Sequence, residues 1–135
     1  MTLYIMLYDD NVKGLTYLGI AKSENEAYKI LSQEYPNLVV SDRYLLESEK
    51  VNGYAIVTDE YLDMDIEELD FGVYVTKFKC GKDPTLYLGV SKTYDEAEDL
   101  IHAYFMNVHK LKQGEYTSKD FLGNTVICYI ETVFV

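Results

Sequence analysis

Tryptophan is absent from this chain of 135 residues, proline, cysteine and histidine occur twice each, and Arg43 is its one arginine. Each scarcity excludes something. Cys80 and Cys128 are too few for a disulfide framework, which points to a reducing, cytoplasmic setting. His102 and His109 have no cysteine or spaced carboxylate beside them, so neither a zinc site nor any other metal or cofactor is expected. No apolar run approaches the length of a membrane span, and the opening Met1–Asp10 segment lacks the basic flank of a signal peptide. Basic residues number 12 against 23 acids, a net charge of -11. That balance repels phosphates and anionic lipid, which excludes direct nucleic-acid binding and membrane-surface binding. No G-x-S-x-G, H-E-x-x-H, phosphate loop or G-x-G-x-x-G occurs, and neither cysteine sits in a basic or helix-start setting, so the expectation is a protein that is not an enzyme.

What is present is internal similarity. Residues 1–65 laid over residues 71–135 with a constant offset of 70 place Tyr17-Leu18-Gly19-Ile20-Ala21-Lys22-Ser23 on Tyr87-Leu88-Gly89-Val90-Ser91-Lys92-Thr93. Tyr4 falls on Tyr74, Glu26-Ala27 on Glu96-Ala97, Leu31 on Ile101, Tyr35 on Phe105, Gly53 on Gly123 and Ile56 on Val126. The pattern reads as a tandem duplication. Half of such a chain would bury only about 60% of its unfolded surface. The reading is therefore one pseudo-symmetric domain over 1–135, with repeat 1 at 1–65, an acidic join at 66–70 and repeat 2 at 71–135.

Each repeat opens with an alternating strand, Leu3–Tyr8 or Val73–Phe78, then polar turn residues, then a returning strand at Tyr17–Lys22 or Tyr87–Lys92. Ser23-x-x-Glu26 and Thr93-x-x-Glu96 are capping boxes. Behind them, Ala27, Ile30, Leu31 and Tyr35, or Ala97, Leu100, Ile101, Tyr104, Phe105 and Val108, form one helical face. Pro36 stops the first helix at Tyr35, and the second runs on to about Val108. Leu38–Lys50 reads as strand or short helix, and Lys110–Asp120 as loop. Closing strands lie at Gly53–Thr58 and Asn124–Phe134. The expected class is α+β: a tandem β-β-α-β unit, an antiparallel sheet of about six strands and two main helices on one face. Leu3, Ile5 and Leu7 oppose Tyr4, Met6 and Tyr8, so the sheet is apolar on both sides and needs a second cover, from the other repeat or from a homodimer.

Gly72-Val73-Tyr74, twelve residues, then Tyr87-Leu88-Gly89 and a capped helix resemble the β-β-α start of GIY-YIG nucleases over about 30 residues. In that family an arginine on the helix and a later metal-binding glutamate carry cleavage. Here the helix has Glu96-Ala97-Glu98-Asp99 and its counterpart Glu26-Ala27-Tyr28-Lys29, so the resemblance implies the fold element without nuclease activity. The two Tyr-Leu-Gly triplets also read structurally, with Tyr packing and Gly letting the helix approach the strand.

Charge is uneven along the chain. Residues 1–65 hold 12 acids and 5 bases, while residues 71–135 hold 8 acids and 7 bases. The extreme is Asp59–Asp70, with seven acids, no base, and Tyr61, Leu62, Met64, Ile66 and Leu69 between them. Its Asp63, Asp65 and Glu67 alternate like a calcium loop but lack the glycine and the final glutamate such a loop needs. The 14 tyrosines suit both strands and interfaces, and Tyr44, Tyr54, Tyr61 and Tyr116 lie outside the core pattern. Together these features point to an interaction protein in which Asp59, Glu60, Tyr61, Asp63, Asp65, Glu67, Glu68 and Asp70 occupy a basic groove of a partner protein. By analogy of class, such proteins are nucleic-acid-mimicking inhibitors of phage or mobile-element origin, of the anti-CRISPR kind, acting on nucleic-acid-handling enzymes. The alternative is a regulatory module with a small-molecule cleft between the repeats. An unrecognised enzyme is the third, weakest reading.

Overall fold

Thr2-Leu3-Tyr4-Ile5-Met6-Leu7-Tyr8-Asp9 carries apolar side chains on both alternating faces, and such a strand is stable where both faces are covered. In the computed structural model it forms β1 (Thr2–Asp9), the middle strand of an antiparallel sheet with β2 (Leu15–Ala21) and β3 (Tyr54–Tyr61) at its edges. The structure describes residues 1–9, 14–40, 53–109 and 126–135, with the backbone alone at 80, 107–109 and 126. The expected conformations of Leu38–Lys50 and Lys110–Asp120 fall wholly or mainly outside these residues, as do Arg43, Tyr44, Tyr116 and Gly123. Val40 makes an isolated parallel bridge to Ala55.

The chain divides into two compact units, Met1–Leu62 and Asp63–Val135. In the first, helix α1 (Glu24–Glu34) starts at Ser23, whose Oγ accepts from the Glu26 amide at 3.2 Å. It ends ahead of Pro36, with Tyr35 as its C-cap. Its inward residues Ala27 and Leu31 join Met6, Ala21 and Ala55 in one buried cluster. Leu3, Ile5 and Leu7, on the opposite face of β1, are buried as well.

The second unit opens with a one-turn helix, α2 (Ile66–Leu69). It continues through β4 (Val73–Cys80), β5 (Leu86–Ser91), helix α3 (Tyr94–His109) and β6 (Val126–Val133). β4 is the middle strand, between β5 and β6, again antiparallel on both sides. α3 starts at Thr93, whose Oγ1 accepts from the Glu96 amide at 3.2 Å. The core is aromatic: Phe78 and Phe105 meet edge to face at 5.5 Å, and Tyr104 lies 4.9 Å from Phe78. Thr76, fully buried, donates its hydroxyl to the Ala97 carbonyl at 3.5 Å.

The α+β class and the antiparallel strands are as expected; the single sheet is not. Each returning strand closes on the middle strand of its own unit, so the described strands form two three-stranded sheets. Among the described residues there are three helices where two main ones were expected, because the acidic join contains α2.

The two sheets share a detail of register. Met6 faces Gly19 and Leu7 faces Tyr17, which leaves Leu18 as an extra residue. Thr76 faces Gly89 and Lys77 faces Tyr87, which leaves Leu88 extra. Both Tyr-Leu-Gly triplets are therefore β-bulges. The bulge turns Leu18 and Leu88 onto the clusters under the helices. The glycines make room at the same level, but not for the same neighbour. A Cβ on Gly89 would meet Leu100 of α3 at 2.8 Å, while one on Gly19 would meet Met6 of β1 at 2.9 Å. The helix-approach reading of the glycine thus holds for Gly89 alone.

The offset of 70 fails on the closing strand. Ala55 faces Tyr8 and Cys128 faces Phe78, so equivalent positions there are 73 apart and Ile56 corresponds to Tyr129, not Val126. The extra length lies in α3 itself, which continues past the point where α1 stops because Met106 stands in place of Pro36.

Gly72 has φ +87°, and a Cβ there would lie 2.9 Å from the Val133 carbonyl oxygen. Gly72→Ala is expected to cost on the order of 1–3 kcal/mol in denaturant unfolding. Gly89→Ala, which meets only the flexible end of Leu100, is expected to cost less. Equal losses would show that backbone conformation at Gly72 is unimportant.

Candidate functional site

The acidic segment is built from buried pegs set among exposed side chains. Its first part is the end of β3, where Thr2 faces Tyr61. Met1 and Leu62 continue the ladder, with the Leu62 amide donating to the Met1 carbonyl at 2.8 Å and the Met1 amino group to the Leu62 carbonyl at 2.7 Å. Leu62, Met64 and Leu69 are buried. All seven carboxylates from Asp59 to Asp70 are exposed, and so is Tyr61. All eight residues expected to meet a partner therefore face solvent. Asp59, Glu60 and Tyr61 belong to the first unit, and Asp63, Asp65, Glu67, Glu68 and Asp70 to the second.

The second part is braced by hydrogen bonds. Asp65 caps α2: its Oδ1 accepts from the Glu68 amide at 2.8 Å, and Glu68 Oε1 accepts from the Asp65 amide at 3.2 Å. The box satisfies two amides that a helix start leaves open, and it places two negative charges at the positive end of the turn. Below it, Gly72 donates to the Leu69 carbonyl at 2.9 Å. Ahead of it, Lys92 Nζ donates to the Asp63 carbonyl at 2.7 Å. Two of the expected contact residues, Asp65 and Glu68, thus have a structural duty as well. Sequence reasoning assigned capping boxes to Ser23 and Thr93 but missed this one, whose signal is Asp65-x-x-Glu68 before a buried leucine. It also passed over three exposed apolar residues at this site: Ile66, Phe71 and Phe134.

Two groups elsewhere have shifted acidity. Tyr54 donates its hydroxyl to Asp9 Oδ2 at 3.2 Å. The charge of Asp9, some burial and this hydrogen bond all push the phenol above its ordinary 10.0. Burial pushes the Cys128 thiol up, which leaves it a poor nucleophile at neutral pH. Among the described residues no group of three or more His, Cys, Asp or Glu side chains could hold a metal ion. No helix among them is long and apolar enough to cross a membrane.

In comparisons with known proteins, no protein family, no curated protein and no solved structure matches the chain.

Two outcomes are expected. Asp65→Ala costs about 1 kcal/mol and speeds hydrogen exchange at the Glu68 amide; unchanged exchange there would show that the cap does not order the turn. Because the folded pKa of Tyr54 is above the unfolded one, its bond to Asp9 stabilises the fold fully below about pH 10 and is lost as pH rises through the folded value. Asp9→Asn therefore moves Tyr54 to a lower pKa in a phenolate absorbance titration referenced to Tyr54→Phe.

Proposed function

We propose that this protein is a non-enzymatic binding protein whose acidic segment, residues 59–70, docks on a basic surface of a partner protein. The observation that carries the reading is the division of labour within that segment. Leu62, Met64 and Leu69 go inward, and every carboxylate goes outward. Charge presented this way steers encounter with a positive surface and rejects negative ones. The net charge of -11 supports the same choice of partner. A basic groove that ordinarily receives phosphates is the natural complement, which makes inhibition of a nucleic-acid-handling enzyme, of the phage anti-defence kind, the form of action we favour.

The scaffold behind the segment is, in this reading, a duplicated module. The shared strand order and the bulges at Leu18 and Leu88 support it. Duplication supplies size and rigidity, and divergence in the join supplies the site.

Affinity capture from the source cell at low and high salt tests the proposal. Glu60→Lys, Glu67→Lys and Asp70→Lys leave the Asp65–Glu68 cap intact. Combined, they are expected to lower partner affinity by about tenfold or more and to flatten its dependence on salt. A partner held equally by wild type and triple variant, at every ionic strength, would refute the docking mode.

A further inference from the structure

We propose that Phe71 and Phe134 are the apolar anchor of the acidic site, and that the partner segment they engage carries apolar side chains flanked by lysine or arginine. This rests on the docking reading above and specifies the chemistry of its partner.

Phe71 is 82% exposed and Phe134 73%. The other described phenylalanines, Phe78 and Phe105, are 4% and 0% exposed, so the second unit buries phenylalanine where it needs core. The two exposed ones come from opposite ends of the unit, yet the fold brings them to one place. Val73 pairs with Val133, Phe71 lies two residues before that rung and Phe134 one residue after it. The Phe134 ring reaches to 3.3 Å from where a side chain on Gly72 would begin. Gly72, at φ +87°, is the residue that breaks the strand between Phe71 and β4. Ile66, 64% exposed, is the first residue of α2.

The same short stretch holds Asp65, Glu67, Glu68 and Asp70, all exposed. Aromatic side chains bordered by charge are the make-up of an interface centre with a polar rim. The rim selects the occupant. A second copy of the chain would bring like carboxylates together, and a chain of net charge -11 opposes that. A basic, amphipathic protein segment satisfies both parts: its cations meet the carboxylates and its apolar residues cover the rings. The charges govern encounter, and the rings govern residence.

The test uses two short synthetic peptides of equal positive charge, one alternating lysine with leucine and one alternating lysine with serine. Wild type is expected to bind the lysine–leucine peptide about tenfold more tightly than the lysine–serine peptide. Phe71→Ser with Phe134→Ser is expected to erase that preference while keeping salt-dependent binding of both, with an unchanged unfolding midpoint. Phe71→Tyr with Phe134→Tyr is expected to keep the preference. Equal binding of the two peptides by wild type, or a preference that survives in the serine variant, overturns the anchor and leaves the docking reading standing. Glu67→Lys with Asp70→Lys separates the two: if that variant binds both peptides as wild type does, the docking reading fails first. A dimer formed in high salt and lost in the serine variant would assign the rings to a second copy and overturn the proposal.

Discussion

Each half of this protein depends on one strand that is enclosed on all sides. β1 has neighbours at both edges and buried side chains on both faces, and β4 repeats the arrangement with Val73, Val75 and Thr76. A strand so placed has its backbone groups paired and its side chains out of water, which makes it the most expensive part of the fold to disturb. The two middle strands are not identical. On β4 itself, Lys77 takes the register position of Leu7 and reaches Glu131 on β6 at 2.6 Å, so a core residue in one unit is an ion pair at the fringe in the other. The exposed acids of residues 59–70 lie on an edge strand, a connection and a helix start.

The bulge is the second constraint. One additional residue in an edge strand lets two neighbouring side-chain positions turn toward the same face. In β2 and β5 those positions are a leucine and a glycine, one filling the cluster under the helix and one making way for it or for the middle strand. A Tyr-Leu-Gly triplet ahead of a capped helix therefore has a mechanical explanation here. The likeness to the opening of GIY-YIG nucleases extends to the order strand, strand, helix.

Much of the fold was legible because its signals are local. Ser23 and Thr93 mark the helix starts, Pro36 marks an end, and alternation marks the strands. Two features were not. A bulge is a matter of pairing, so Leu18 and Leu88 look like ordinary strand residues until their partners are known. Whether six strands form one sheet or two is decided by edges that have no local signature, and the three-residue shift of β6 is invisible in a gapless overlay. At the site, the charge run was plain, but Phe134 is 63 positions from Phe71, and it is the pairing of β4 with β6 that connects them.

The cap on α2 and the buried pegs on either side of it bear on timing. A segment that is already ordered has little conformational freedom left to lose on contact with another surface. If it docks as proposed, it has no folding step to complete on arrival, and the rate of encounter is then set by diffusion and the long-range field instead of by a search among loop shapes.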